Sequence, residues 1–595
     1  MTFSAMPLAQ RSDSISGRAR LVLAGASVAV FFTAFEVRQP VVDLGFFNLT
    51  TTKLAAVLFF LTVIAWALGD GVRSFLSRRA LDVAVLLFLA SNFISVPAAA
   101  DKTEAFKFAL RFIYAGGVYF GISRLPRRAG SHLVVAGAVT AAVLIVAAVG
   151  LFENFLMPVT WSQILSPFQE EVSTFGAFYN VRVASTLPYP TALSMYLELA
   201  LPVALVLGIW LTGRQRSGTK RWWLALATAA GTTAVLLVQL FTFTRSGMVA
   251  TPASFLIGAL LAAVFGYGRR VWSTFAVVAL LFLVFLGGSA LFSGKMAARL
   301  GLRQQTNHYG AVYTLIDFPS SLKLKQQYSA LVHIRNTGTI TWGVKGSDDE
   351  VDAYYRWVRY PQGTEDDDVP FLISYMPRAI SPGAEVNEKI SFITPAQAGS
   401  YILEFDMIHV HRTAFSAAGV SGLQVPLQMN AGGSRGFVPT QPAAKFNETL
   451  PNEDFTPRSQ LWRAALKMWR DHPLLGVGPD QFRNQYPHYI NVSPDSRIRT
   501  HNIFMEALAN TGAVGLAAMV FLLGWAAWVL LRLARARSME ISYRLVALAL
   551  MVALAAYVGH GLADYFLWQT GVLFLFFALL GLIAWLDYKR KAPGL

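Results

Sequence analysis

Long apolar runs occupy both ends of this chain, with a stretch of different pattern between them. Windows of about 20 apolar residues, the length that crosses about 30 Å of hydrocarbon, recur through the sequence. Because lipid offers no water to the backbone amides, each run is predicted to be a helix. We predict about twelve transmembrane helices, at 21–36, 53–69, 80–97, 105–122, 132–156, 190–212, 222–242, 246–266, 271–292, 511–533, 542–560 and 568–586.

The stretch between the ninth and tenth apolar runs has a strand-like pattern. Apolar residues alternate in Ser329–Trp342 around an Asn-Thr-Gly turn, and strand-forming residues are frequent in Glu388–Thr394 and Tyr401–His411. Short strands separated by turn residues at this spacing predict a β-sandwich. The predicted fold class is therefore a polytopic all-α membrane protein with an inserted extracytoplasmic β-sandwich.

The pattern also predicts how the chain is divided. An amphipathic helix is expected at Ser459–Asp471, where Leu461, Trp462, Ala465, Leu466 and Trp469 form an apolar stripe. We expect it to lie on the membrane surface or to cap the helix bundle. The predicted divisions are 1–292 with nine helices and an outer loop at 157–189, 293–309 as a linker, 310–430 as the sandwich, 431–500 as a linker with the amphipathic helix, and 501–595 with three helices.

Composition and charge fit a membrane protein. Charged residues are only 14% of the chain and mean hydropathy is +0.46, whereas soluble proteins carry about a quarter charged residues. The net charge of +16 comes from arginines and lysines in alternate short loops, such as Arg124–Arg128 and Lys589–Lys591. This asymmetry predicts cytoplasmic termini and an extracytoplasmic insertion, and it argues against nucleic-acid binding. The absence of cysteine excludes disulfides and cysteine nucleophiles.

Ionisable residues gather at the predicted outer ends of the helices. Charges beside membrane helices are costly, and they are default candidates for function. Each residue alone has a structural explanation: Arg245 could reach lipid headgroups, and His501 could hydrogen-bond a helix end. Their coincidence at one depth favours a site. The candidates are Arg111, Arg182, Glu198, Arg245, Arg458, Arg499 and His501.

Several motifs resemble the O-antigen ligase and O-antigen polymerase family. His501-Asn502 with Glu506, followed by Asn510-Thr-Gly512 and Gly515, looks like the core motif of that family. The preceding segment, with Arg458, Leu461-Trp462, Pro473–Gly478 and Phe482, is similar to the family's segment before the histidine. Arg182–Thr186 with Pro190, and Thr244–Gly247, are similar to its two arginine motifs. Separately, Asn336–Trp342, Ile380–Gly383 and Pro395–Tyr401 resemble immunoglobulin-like modules attached to bacterial surface-glycan proteins.

The resemblance implies a bacterial inner-membrane glycosyltransferase without metal or cofactor. Its partners would be an undecaprenyl-diphosphate-linked glycan donor, a glycan or lipid A–core acceptor and the lipid bilayer. Arg182 and Arg245 are expected to stabilise the diphosphate as its charge grows. His501 is expected to remove the acceptor hydroxyl proton, because the pKa of histidine ordinarily lies near neutral pH. Expected substrate-binding residues are Arg111, Glu198, Arg458 and Arg499.

Three alternatives remain open at this point: a polymerase, a transporter, and a scaffold that docks partners through the sandwich. A polymerase would use the same donor but add it to another lipid-linked glycan, and one sequence separates it poorly from a ligase. A transporter of lipid-linked glycans would place paired charges near the bilayer midplane at the interface of internal repeats. The charges here lie at one face, and the sequence shows no internal repeat.

Overall fold

A computed structural model describes most of the chain. Residues 437–457 of the predicted linker at 431–500, most of the linker at 293–309 and most of the outer loop at 157–189 lie outside the described residues. The described residues are 17–37, 39–43, 48–71, 77–126, 130–156, 164–165, 167–169, 182–215, 218–292, 296, 309–345, 347, 349–361, 364–366, 369, 372–409, 413–416, 420–430, 432–436, 458–490 and 498–591.

Helices make up both ends of the described chain, with short 3₁₀ turns at Phe32–Ala34 and Val96–Ala98 and a π-turn at Ala67–Gly71. The α-helices are α1 (Gly17–Phe31), α2 (Thr51–Trp66), α3 (Asp82–Ile94), α4 (Lys102–Ser123), α5 (Ser131–Phe155), α6 (Pro190–Arg214), α7 (Thr219–Phe241), α8 (Arg245–Val264), α9 (Arg269–Phe292), α10 (Arg458–Asp471), α11 (Phe482–Ile490), α12 (Ile503–Arg535), α13 (Ile541–Gly561) and α14 (Thr570–Lys591).

In the described part of the chain, each of the twelve predicted apolar runs is a helix, and ten of these helices are long and apolar enough to cross a membrane. The two others fall short for different reasons. Helix α3 has 13 residues, about 20 Å at 1.5 Å per residue, which is less than the hydrocarbon thickness. Helix α4 carries Lys102, Glu104, Lys107 and Arg111 in its first three turns. The chain is thus a polytopic helical membrane protein with fewer full-length apolar spans than we expected.

Three helices form the centre of the bundle. The apolar window of α14 is 100% buried, and those of α6 and α13 are 83% buried, so these helices are enclosed by the others. Helix α14 packs against α4, while α13 packs against α6 and α8. Loops attached to α6, α13 and α14 therefore start from the most constrained part of the bundle.

Helix α12 is broken at Gly512, where the backbone has φ 63° and ψ −161°. Only glycine adopts this conformation readily. The segment Pro473–Gly478 runs beside the break and bonds the backbone groups that the helix leaves unpaired. Ala513 N–H donates to the Pro473 carbonyl (2.9 Å), and Val477 N–H donates to the Ala509 carbonyl (2.9 Å). A Cβ on Gly512 would overlap the Leu474 carbonyl, so the absence of a side chain at Gly512 lets the Pro473–Gly478 segment pack against the break in α12.

The amphipathic helix predicted at 459–471 is α10, and it packs on α12 and α11. Its buried face consists of Leu461, Ala464, Ala465 and Met468. Leu466, which we placed on the apolar stripe, is 39% exposed. Because the buried face follows i, i+3, i+4 and i+7, the helix covers α12 with a narrower stripe than predicted.

The region between the two groups of helices contains two antiparallel sheets, and a separate two-stranded ribbon lies between the first two helices. The strands are β1 (Val42–Asp43), β2 (Asn48–Leu49), β3 (Ala311–Asp317), β4 (Gln327–Asn336), β5 (Val351–Arg359), β6 (Thr364–Glu365), β7 (Ile373–Ser374), β8 (Glu385–Ile393), β9 (Gly399–His409), β10 (Thr413–Ala414), β11 (Leu423–Asn430) and β12 (Gly433–Gly436). The smaller sheet has the order β3-β4-β8, and the larger has β12-β11-β9-β5-β6, with β10 on β9 and β7 on β5.

The three-stranded and seven-stranded sheets share one hydrophobic core. Phe392 of β8 contacts Phe405 of β9 at a ring-centroid distance of 5.6 Å and Trp357 of β5 at 6.3 Å, which joins the sheets. Strand β4 ends at Asn336, as the Asn-Thr-Gly turn predicts, whereas Trp342 forms an isolated bridge with Ile380. The immunoglobulin-like character of this region stays a prediction.

Candidate active site

Arg182 and Arg245 belong to one structural unit. The Arg182 Nε–H donates to the Thr242 carbonyl (3.0 Å), and the Val183 N–H donates to the Phe241 carbonyl (3.0 Å). Thr242 lies in the turn between α7 and α8, and Arg245 is the first residue of α8. Arg182 is half-buried and Arg245 is exposed. The two arginines that are distant in the sequence are therefore carried by adjoining backbone segments.

The segment that carries Arg182 is held by polar groups from α5 and from the preceding loop. The Glu153 carboxylate, at the end of α5, accepts from the Ser185 N–H (2.6 Å) and from Gln169 Nε2 (2.9 Å). Ser185 has a positive φ of 53°, and its hydroxyl donates to the Val146 carbonyl (2.8 Å). These bonds fix the turn that leads from Arg182 into α6.

His501 is paired with Asp564. Its Nδ1 lies 3.1 Å from Asp564 Oδ1, and the two side chains are 19% and 15% exposed. His501 has a positive φ of 51° and immediately precedes Asn502, whose side chain caps α12 by accepting from the Phe504 and Met505 N–H groups. Burial alone would raise the pKa of Asp564, but its hydrogen bond with His501 and nearby positive charge hold the pKa below its ordinary value. Asp564 is therefore ionised at neutral pH.

The loop between α13 and α14, which we call the 562–569 loop, connects the predicted residues. The Arg111 guanidinium donates to the Trp568 carbonyl (3.1 Å), and Arg499 lies over the Trp568 ring at 5.2 Å. On the other side, Trp568 stacks on Tyr189 with ring centroids 5.3 Å apart. Tyr189 is the residue before α6. One loop therefore links the Arg182 segment, Arg111, Arg499 and the histidine pair.

Arg499 is buried in an ion pair. Its exposed fraction is 7%, and its guanidinium pairs with Asp480. Burial would lower the pKa of Arg499, but the charges of Asp480 and Glu506 raise it above its ordinary value. Glu506 in turn accepts from the Thr500 N–H (2.9 Å) and Asn510 Nδ2 (3.0 Å). Arg499 thus anchors the segment before His501.

Arg458 is exposed at the start of α10, and its charge contributes to the low pKa of Asp564. Helix α10 is joined to the same segment as Arg499, because Trp462 Nε1–H donates to the Thr500 carbonyl (2.9 Å). Arg458 is therefore close enough to the histidine pair to act on it electrostatically.

Glu198 occupies a different position from the other predicted residues. It is 2% exposed in α6, and both of its oxygens are bonded to protein groups. Oε2 lies 2.8 Å from His560 Nδ1, and Oε1 accepts from the Thr251 hydroxyl (2.9 Å) and Gln239 Nε2 (3.2 Å). A Cβ at Gly247 would overlap Ser194 and Gln239 in this network, which gives the glycine of the Thr244–Gly247 motif a steric role. The geometry does not fit direct substrate binding by Glu198.

Sequence reasoning missed part of the site. Asp564 and Glu153 were visible as charges at helix ends, but nothing in the pattern paired them with His501 or the Arg182 segment. Trp568, Tyr189 and Asp480 carry no local signal beyond being aromatic or acidic near a span. Among the described residues, no group of three or more His, Cys, Asp or Glu side chains is arranged to hold a metal ion.

These features define a class of protein: a polytopic helical membrane protein with an inserted β region and a cluster of arginines beside a histidine–carboxylate pair at one end of the bundle. A family model described as O-antigen ligase matches residues 410–520, and this match supports membership of the O-antigen ligase family. The matched segment contains Arg458, Arg499 and His501 but covers less than a fifth of the chain. The match supports glycosyl transfer of the ligase or polymerase type in a multi-pass bacterial inner-membrane protein. A comparison with curated proteins gave no match.

Proposed function

We propose that this protein transfers a glycan from an undecaprenyl-diphosphate carrier to an acceptor hydroxyl, as an O-antigen ligase does, at the outer face of the inner membrane. The observation that carries the proposal is the pairing of His501 with Asp564, because the loop that contains Asp564 also contacts Arg111, Arg499 and the end of the Arg182 segment. The bond that breaks joins the anomeric carbon of the glycan to the diphosphate, and the bond that forms joins that carbon to the acceptor oxygen.

His501 is the proposed general base. With Nδ1–H donating to the ionised Asp564, the lone pair of the neutral ring lies on Nε2, which accepts the acceptor hydroxyl proton. Asp564 holds this tautomer and stabilises the imidazolium that forms. Both roles, proton acceptor and stabilising carboxylate, are filled by His501 and Asp564, which are hydrogen-bonded to each other.

Arg182 and Arg245 are the proposed diphosphate ligands. As the glycosyl bond breaks, negative charge grows on the leaving diphosphate, and guanidinium groups at a low-dielectric boundary stabilise it. Arg111 and Arg458, at the two edges of the 562–569 loop, would contact the donor or the acceptor. Arg499 and Glu198 are proposed to position the site, since both are engaged with buried protein partners.

The test is transfer by the purified full-length protein from a lipid-linked glycan donor to a core-sugar acceptor. Arg182→Ala, Arg245→Ala and His501→Ala are each expected to abolish product while the protein still inserts in membranes. Arg269→Ala, at the opposite end of the bundle, is the matched control and should keep the wild-type rate. Wild-type rates in all three site variants would overturn the assignment.

A polymerase is the second candidate, because the family match supports both activities. Incubation with the lipid-linked donor alone separates them. Chain growth without any added core acceptor would favour the polymerase, whereas product formation that requires the core acceptor would favour the ligase. Vesicle counterflow of labelled donor without any transfer would favour a transporter.

A further inference from the structure

An apolar groove opens between α6, α7 and α9 at the end of the bundle opposite to the candidate active site. It has a volume of about 600 Å³. Its walls include Gly208 and Ile209 of α6, Ala225 and Ala229 of α7, and Val277 and Leu281 of α9. Helix α7 begins at this end and finishes beside Arg182, whereas the groove lining on α7 stops at Thr233, before the helix ends at Phe241.

The groove exists because small side chains line helices that are poorly covered by the rest of the protein. The apolar window of α9 is 22% buried and that of α7 is 33% buried, the two lowest values among the ten spans. The lining hydroxyls of Thr228 and Thr274 donate to carbonyls of their own helices, at 2.7 Å each. Their methyl groups therefore complete an apolar wall.

The depth of the groove matches one leaflet of a bilayer. On α7 the lining residues run from Arg221 to Thr233, and on α9 from Arg270 to Leu281. At about 1.5 Å per residue these stretches are roughly 16–18 Å long, close to half of the ~30 Å hydrocarbon thickness. A transmembrane helix of a partner protein would run along the full thickness of the hydrocarbon. The length of the groove therefore favours a lipid acyl chain as its occupant.

The chemistry of the groove is polarised along its length. Both Arg221 and Arg270 line its end, and Trp222, which is 77% exposed, lies beside them. Tryptophan at this level is typical of the membrane–water boundary, and paired arginines there bind phosphate. Farther from the two arginines, the groove is lined by apolar or small residues such as Ala225, Ala229, Val277 and Leu281.

We propose that this groove is a binding site for one anionic phospholipid of the surrounding bilayer. One acyl chain occupies the space between α7 and α9, and Arg221 and Arg270 bind the headgroup phosphate and its extra negative charge. The proposal rests on this end of the bundle alone and is independent of the glycosyl-transfer function.

The test uses the full-length protein in vesicles that contain phosphatidylglycerol or phosphatidylethanolamine with the same photoreactive acyl chain. Peptide mass spectrometry locates the crosslinks. We expect labelling of the α7 and α9 groove residues by phosphatidylglycerol to exceed labelling by phosphatidylethanolamine about tenfold. The Arg221→Ala/Arg270→Ala double variant should lose this preference. Lys220→Ala/Arg269→Ala removes the same charge one residue away, outside the groove lining, and should keep it.

A second variant separates the acyl site from the headgroup site. Ala229→Phe fills the groove without changing charge, and we expect it to abolish groove labelling by both lipids. Equal labelling by the two lipids in the wild type would overturn the proposal, as would equal loss in the two double variants. Crosslinking of a second copy of the chain at the groove residues would also overturn it.

Discussion

Replacing Asp564 by asparagine is the sharpest test of the proposed chemistry. The amide side chain would keep the size of the carboxylate and an oxygen 3.1 Å from His501 Nδ1, but it would remove the negative charge. The pKa of Asp564 lies below its ordinary value, so the wild-type carboxylate is ionised throughout the neutral range. The substitution therefore removes a charge-assisted hydrogen bond and little else.

The size of the effect follows from that bond. A hydrogen bond to a charged group contributes about 1.5–3 kcal/mol. Because ~1.4 kcal/mol changes a rate tenfold, Asp564→Asn is expected to lower kcat about 10- to 150-fold. The KM for the donor should change less than about twofold, since in the proposed mechanism Asp564 acts on the transition state through His501.

The assay is steady-state transfer from the lipid-linked donor, repeated in a His501→Ala background with a sensitive product readout. If Asp564 acts through His501, Asp564→Asn should cause no further loss once the histidine is gone. Asp471→Asn, at the exposed end of α10, is the matched control and should be silent. A full additional loss in the His501→Ala background, or a wild-type kcat in the single variant, would refute the dyad.

Three other predictions concern the framework. Gly512→Ala forces a Cβ into the Leu474 carbonyl at an unfavourable φ and should lower the free energy of unfolding by about 1–3 kcal/mol, measured by thermal unfolding of the purified protein. Gly524→Ala in the same helix places its Cβ in open space and should leave the stability unchanged. Glu198→Ala leaves the buried Thr251 and Gln239 donors without this acceptor and should lower the free energy of unfolding by about 1–3 kcal/mol for each unpaired group. A stable variant in which only the KM rises would instead indicate that Glu198 binds substrate. In the β region, burial raises the pKa of Asp352 to about 7, so the folded state binds a proton that the unfolded state releases between about pH 4 and 7. Protection of β5 amides from hydrogen exchange, corrected for intrinsic rates, should therefore fall from pH 5 to 7.5. In the Asp352→Asn variant this protection should fall less, and an equal fall in the two proteins would contradict the assignment of the effect to Asp352.

Much of the architecture could be predicted because its causes are local. Apolar runs long enough to cross lipid must be helical, and all twelve predicted runs are helices. Among the described residues, ten of these helices are long and apolar enough to cross a membrane, whereas α3 is shorter and α4 carries charges in its first turns. The sequence pattern predicted strands within Ser329–Trp342 and Tyr401–His411, and the structure has β4 at Gln327–Asn336 and β9 at Gly399–His409.

The sequence indicated individual candidate residues of the site but not the contacts between them. Arg182, Arg245 and His501 stand out in the sequence because charge near lipid is rare. Their neighbours do not: Asp564 is 63 residues from His501, and Thr242 is 60 residues from Arg182. The interpretation of Glu198 changed most, since its partner His560 is 362 residues away.

By itself, the sequence determined which segments enter lipid, because the transfer of apolar side chains and the bonding of backbone amides depend on each segment alone. It also determined which charges stand close to that boundary. Only the tertiary structure decided which partner each charged side chain has, such as His560 for Glu198, Asp480 for Arg499 and Asp564 for His501. That decision depends on side chains brought together from distant helices, where burial makes a partner necessary and packing decides which partner is within reach.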